Sequence, residues 1–223
     1  MKKILFLTLA ILFQSCVTNK YLSSSTPIDE ILDIGYFEPL AIIELIKKDN
    51  KSEASDSLSI DSKQKIDSLL STNRKKYKIK ERITLNKKIQ GKVENEISYL
   101  IQSAMRKKNL KGIKLTPIID SILESRIQRF GLGVLAVGFG RSKGNYVGQV
   151  AKSVVVGVLT LGLFIPVPIK SNLRLFSIIV DSKKNEISFY KATLLIEKSP
   201  NNYFVLKSQL DKLYENYLFK KYN

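Results

Sequence analysis

The stretch LRLFSIIVDSKKNEISFYKATLLI, residues 173–196, decides the fold class of this 223-residue chain. Two runs, Leu173–Val180 and Glu186–Ile196, are rich in β-branched and aromatic residues and flank the polar Asp181-Ser182-Lys183-Lys184-Asn185. Such side chains suit a pleated, half-buried surface, and a short polar interval between two such runs reads as a hairpin. Immediately upstream, Phe130–Phe139 (FGLGVLAVGF) reads as a buried strand whose glycines imply close approach or a bulge. Downstream, Ser199-Pro200 caps a terminal helix in which Tyr203, Leu206, Leu210, Leu213 and Tyr217 alternate steps of three and four along one face.

The amino-terminal half supplies the rest of an alternating pattern. Tyr36–Ile46 (YFEPLAIIELI) reads as a strand, with Pro39 near its start or at an edge. Lys47 to Ser59 turns polar and reads as a loop, followed by a weak helix at Ser62–Leu70 and a short strand at Tyr77–Leu85. Residues 47–84 are therefore expected to form a flexible insertion or mobile flap. Ile89, Val93, Ile97, Leu100, Ile101 and Ala104 recur at helical spacing after Asn86, a good N-cap, to about Lys107. Thr116-Pro117 opens another helix, with Thr as cap and Pro in the first turn, to about Arg126. Strands alternating with helices and closing on a hairpin and helix predict a single α/β domain over 35–223, with a mixed sheet, a carboxy-terminal hairpin and packed helices; α+β is the alternative. No internal repeat is present.

Composition narrows the function classes. Hydrophobic residues make up 44% of the chain, enough for a sizeable core. Lys and Arg number 37 against 20 Asp and Glu, a formal charge of +17. The cations are mostly lysines spread along the chain, and aromatics do not alternate with arginines, so a nucleic-acid partner is not expected. The chain has no histidine, which removes Ser-His and Cys-His nucleophile pairs and the common His-based metal sites. Carboxylate pairs or a Ser–Lys dyad remain as catalytic options. Glu38 and Glu44 are the carboxylates embedded in apolar sequence, and edge or alternating exposure accounts for them. No catalytic set, cofactor or metal is assigned.

The first residues carry an address. Met1-Lys2-Lys3 is a cationic n-region, and Ile4–Phe13 is apolar apart from Thr8, the length of a signal-peptide h-region and too short for a permanent span. Gln14-Ser15 then precedes Cys16, the single cysteine of the chain, which leaves no partner for an intrachain disulfide. Ser15-Cys16 at the end of an h-region resembles the lipobox of bacterial lipoproteins. Phe13-Gln14 departs from the strict form and is similar to relaxed versions of the Bacteroidetes group. The resemblance implies removal of residues 1–15, acylation of Cys16 as the mature amino terminus, and membrane attachment through its acyl chains. Stable anchoring needs more than one chain, which a diacylglycerol plus an amide-linked acyl group provides. Two of the basic residues leave with the signal, so the mature charge is +15. Residues 16–34 then form a lipidated tether, with Ser23-Ser24-Ser25 and Pro27 marking its flexible part. Val17 is not the Asp that implies inner-membrane retention in enteric lipoproteins, and Val17-Thr18-Asn19-Lys20 lacks an acidic surface-export cluster. The implied location is the outer membrane, facing the periplasm.

The body, residues 35–223, resembles in element order the small α/β domains of the curli secretion lipoprotein, the lipoprotein activators of penicillin-binding proteins and the amino-terminal domain of TolB. That likeness implies a protein-binding or assembly module, and fold likeness alone does not carry function.

Two further segments invite functional readings. "GFGRSKG", Gly138–Gly144, lies between a strand and a helix, where phosphate loops sit, but fits neither G-x-G-x-x-G nor the P-loop spacing. Arg141 and Lys143 are read as turn cations. Ser153–Ile169 (SVVVGVLTLGLFIPVPI) holds no charge between Lys152 and Lys170. Val147, Val150, Ala151, Val154, Val155 and Val158 fit one face of a helix starting near Asn145, expected to be buried and followed by a Pro-containing linker. The rival reading makes it a membrane-inserting or oligomerising element. Three functions follow: a non-catalytic envelope module that binds another envelope component; a subunit of an oligomeric secretion or transport assembly using Ser153–Ile169; and a histidine-independent cell-wall or lipid hydrolase.

Overall fold

The computed structural model describes residues 21–48, 50–159 and 168–220. The expected signal peptide, Cys16 and the first residues of the expected tether lie outside that range, as does the stretch 160–167. The strands are β1 (Leu22–Ser23), β2 (Ile34–Phe37), β3 (Leu40–Ile46), β4 (Ser52–Ala54), β5 (Ile79–Ile83), β6 (Phe130–Arg141), β7 (Ser171–Asp181) and β8 (Glu186–Ala192). The helices are α1 (Asp56–Thr72), α2 (Lys87–Met105), α3 (Pro117–Ser125), α4 (Lys143–Leu159) and α5 (Tyr203–Tyr214). Together they make a mixed α/β domain around one eight-stranded sheet.

The hairpin forms where the sequence places it: β7 and β8 pair antiparallel from Asp181↔Glu186 to Phe176↔Ala192. Asn185 takes the left-handed conformation in the turn, which asparagine tolerates well. β8 stops at Ala192, short of Ile196, and Ile196 returns only as an isolated bridge to Leu173. On its other side β7 runs antiparallel to the whole of β6, from Phe130↔Asp181 to Gly140↔Ser171. β6 is therefore the axis of the sheet. Its far edge pairs in parallel with β2 at Gly35↔Gly131 and with β3 from Leu40↔Leu135 to Ile46↔Arg141. Between β2 and β3 lies Glu38-Pro39, so the predicted strand is interrupted at its proline, which has no N–H to donate. β5 joins β2 in parallel and β4 joins β3 antiparallel, leaving the sheet split along that edge.

The two-residue period of β6 sorts the core. Phe130, Leu132, Val134 and Ala136 face α1 and α5, where they meet Ile66, Leu69, Leu70, Leu206, Leu210 and Leu213. Leu135 faces the other side, packed with Ile97, Leu100 and Ile101 of α2 and Ile119 and Leu123 of α3. Gly133 lies on that second face because α2 comes so close: a Cβ there would stand 2.9 Å from Ile97 Cγ2. The product is three layers, helix on sheet on helix.

Four expectations change. Residues 47–84 are no insertion: β4, α1 and β5 belong to the sheet and its cover, with Ile66, Leu69, Leu70, Tyr77, Ile79 and Ile83 all buried. The tether does not reach Ile34, because β1 pairs with β8 at Leu22↔Tyr190 and Ser23↔Phe189, and Thr26, Ile31 and Ile34 are buried. Ser199-Pro200 does not cap α5; Asn202 does, its side chain accepting from Val205 N at 3.1 Å. Thr116 precedes α3 without capping it through its side chain. Instead Glu96 of α2 accepts from Ile119 N at 3.0 Å and from Thr116 Oγ1 at 2.5 Å, so one helix caps the next.

Candidate functional site

Three places gather polar or exposed groups, and they differ in what they offer. The first surrounds Glu38, at the break between β2 and β3. Lys63 of α1 reaches both Glu38 at 2.8 Å and Glu94 of α2 at 3.1 Å, so helices on opposite faces of the sheet meet through the split edge. Arg82 of β5 lies 3.2 Å from Glu38 and 3.1 Å from Asp67. Beside this network Tyr36 is buried, and burial, with the charge and hydrogen bonding of Asp67, pushes its hydroxyl up to about 12. An adjoining cavity of about 300 Å³ is lined by Ile42, Ile60, Lys63, Glu94 and Ser98. Each carboxylate here has a cation within contact distance, so the network brackets the split as a brace. Glu44, the other carboxylate read from sequence, is far from this group and accepts from Ser52 Oγ at 2.5 Å across the β3–β4 pair.

The second is a groove of about 640 Å³ between α5 and the chain leading into it, lined by Ile196, Phe204, Val205, Gln209 and Lys212. Phe204 is largely exposed there, as are the neighbouring Leu194 and Leu195. Nothing in the sequence reading pointed to it, because β8 was expected to continue through these leucines.

The third lies at the end of the sheet where β6 stops and β7 starts. Here the "GFGRSKG" stretch holds no phosphate-loop geometry; its polar groups are spent on the scaffold. Arg141 donates to Ile169 O at 2.7 Å, Asn145 Oδ1 at 2.7 Å and Asn50 Oδ1 at 3.2 Å. Asn145 donates to Lys48 O and Asn50 Oδ1, and Gln149 donates to Asn50 Oδ1 at 3.0 Å. The β3–β4 turn, the end of β6, the approach to β7 and the first turns of α4 are thereby tied into one base.

From that base α4 projects with its sides reversed. Asn145 and Ser153 are buried, and Gln149 between them is half-buried, so a polar stripe at spacing i, i+4, i+8 faces the protein. Val147 is 66% exposed and Val150 37%, and Ala151 is exposed. The expected burial of Val147, Val150 and Ala151 is thus corrected: these three side chains turn outward. The side chains of Val154, Val155 and Val158, and residues 160–167, lie outside what the structure describes.

Cys16 too lies outside them, but the strand that follows it is placed. β1 is antiparallel to β8 and pairs at Tyr190, level with Ile178 of β7 and Gly133 of β6, so the chain joins the sheet nearer the hairpin end than the end that carries α4. Among the described residues no three or more Asp, Glu, Cys or His side chains are arranged to hold a metal ion. Among them, likewise, no helix is long and apolar enough to cross a membrane.

No family model matches the chain. No curated protein matches it either. Among solved structures it is similar to a DUF4136 family protein from Bacteroides thetaiotaomicron, 8% identical over 87% of this chain and 92% of that one, with a TM-score of 0.32. A likeness of that size supports no argument about function.

Proposed function

We propose that this chain is a lipid-anchored protein of the bacterial cell envelope, held by acyl chains on Cys16 and facing the periplasm from the outer membrane. Its α/β domain is a non-catalytic binding or assembly module. The observation that carries the reading is Ser15-Cys16 at the end of a signal-length apolar run, in a chain with no other cysteine. The carboxylates singled out in the sequence support the absence of catalysis, since Glu38 is engaged by Lys63 and Arg82, and Glu44 by Ser52. Intact-mass measurement of the mature amino terminus tests the anchor. A Cys16 terminus carrying acyl mass supports it, and a terminus with an unmodified cysteine, or one cut elsewhere, defeats it. Crosslinking in whole envelopes tests the binding role, with Cys16→Ala as the control that leaves the membrane.

A second reading makes the chain a subunit of an oligomeric secretion or transport assembly that uses Ser153–Ile169 for contact. The outward-facing Val147 and Val150 of α4 favour it, because soluble surfaces seldom present a helix with its apolar side out. Native mass of the purified protein separates the two: a strict monomer at all concentrations removes this reading.

A further inference from the structure

We infer that the α4 end of the domain is a docking surface for an anionic phospholipid bilayer, with the outer face of α4 lying in the interface. A surface helix of a globular domain buries its apolar stripe and exposes its polar one. α4 does the opposite: Asn145, Gln149 and Ser153 turn inward while Val147, Val150 and Ala151 turn outward. The arrangement is not a loose end, because Arg141, Asn145 and Gln149 pin the helix base to Asn50, Lys48 and Ile169. The outer surface of such a helix is built for a medium less polar than water.

Charge selects the medium. Lys47, Lys48, Lys51, Lys143, Lys152 and Lys170 are all exposed at this end. Against them stand Glu53, paired with Lys47 at 2.5 Å, Glu44 across the β3–β4 pair and Glu197 beside the Ile196↔Leu173 bridge, so cations outnumber acids here. From Ser125 to Val180 the chain carries no Asp or Glu at all, while Arg126, Arg129, Arg141, Lys143, Lys152, Lys170 and Arg174 fall within it. A second copy docking face to face through α4 would set these lysines against their equivalents. Anionic headgroups neutralise them instead, and lysines with long aliphatic stems suit the boundary between headgroup and acyl chain.

Vesicle flotation of the chain from Val17 onward tests this, since it carries every described element and no acyl chain. The expected result is co-flotation with phosphatidylcholine vesicles containing about 30% phosphatidylglycerol, and loss of it at high salt. Val147→Glu with Val150→Glu should weaken binding roughly tenfold or more without moving the thermal midpoint, as both positions are exposed. A nitrobenzoxadiazole probe on Val147→Cys should shift to the blue with anionic vesicles, and the same probe on Gln64→Cys of α1 should not. Equal binding to neutral and anionic vesicles, an unaffected double variant, or a lipid-independent dimer abolished by the same substitutions would each overturn the inference. Because no acyl group is present, this outcome is independent of the Cys16 mass measurement, so failure of one reading is distinguishable from failure of the other.

Discussion

Arg129 grips Asp181 in parallel, Nε to Oδ1 at 3.0 Å and Nη2 to Oδ2 at 2.9 Å, where the start of β6 meets the end of β7. Asp181 is completely buried, and it also receives Thr26 Oγ1 at 3.3 Å and Lys184 N at 3.3 Å. Arg129 reaches on to Glu30 at 2.8 Å. One bidentate pair thus fastens the hairpin turn, the central strand and the amino-terminal segment that leads into β2. Removing the cation strands a buried carboxylate. Arg129→Ala should therefore lower unfolding free energy by about 2–4 kcal/mol, the lower part of the range for broken buried pairs because the guanidinium is partly exposed. Urea denaturation checks it, and Arg129→Met with Asp181→Asn should recover part of the loss.

A steric prediction comes from Gly133. A methyl group there would meet Ile97 Cγ2 at 2.9 Å and Ile178 Cγ1 at 3.3 Å, and a β-branched side chain has little rotamer freedom on a helix. Gly133→Ala should cost about 1–3 kcal/mol by pushing α2 off the sheet. Trimming the partner with Ile97→Ala in the same chain should make the pair less costly than the two singles added together. A double-mutant cycle by thermal or urea melting reads this directly.

How far these features were legible in the sequence varies with the physics behind them. The hairpin was readable because two runs of β-branched and aromatic residues flank a polar turn, and α2 because its apolar residues recur at helical spacing after its cap. Residues 47–84 were misread because Ser, Asp and Lys dominate α1, and its buried stripe, Ser62, Ile66, Leu69 and Leu70, is short and partly polar. β1 is two residues long and its partner lies far along the chain, so no local pattern announces it. Periodicity did locate the apolar face of α4, yet periodicity cannot say which face meets the protein. The missed signal was the complementary stripe, Asn145, Gln149 and Ser153, whose side chains form the seam with the β3–β4 turn and the helix's own backbone.

Acid sensitivity should centre on Asp211 of α5. Burial alone would raise its carboxyl, but hydrogen bonds from Lys76 Nζ at 2.6 Å and Tyr77 OH at 2.7 Å, with the charges of Lys76 and Lys207, hold it below the usual range. The same contact, added to burial, pushes the Tyr77 hydroxyl far up. A carboxyl whose folded pKa is depressed contributes stability that is whole above its unfolded value, about 3.9, and is lost as pH falls through the folded one. Asp211→Asn should cost about 1–2 kcal/mol at neutral pH and flatten the decline in stability below about pH 4. Urea midpoints at a series of pH values between neutral and strongly acid would show it. A variant with the parent's full acid dependence would mean that other carboxylates govern it.

The junction between α2 and α3 offers a test of how one helix organises the next. Glu96 Oε2 accepts from Ile119 N at 3.0 Å and Thr116 Oγ1 at 2.5 Å, satisfying a free donor of the first turn of α3 from outside that helix. Its negative charge also faces the positive end of the α3 dipole. Both effects vanish in Glu96→Ala, while Glu96→Gln keeps an acceptor and loses the charge. The alanine variant should be less stable by about 1–2 kcal/mol and the glutamine variant by roughly half of that. Hydrogen exchange localises the effect: Ile119 N–H should lose protection in the alanine variant, whereas amides of β7, on the far side of the packed helices, should change only by the global difference. Equal destabilisation by both substitutions would place the whole contribution in the charge.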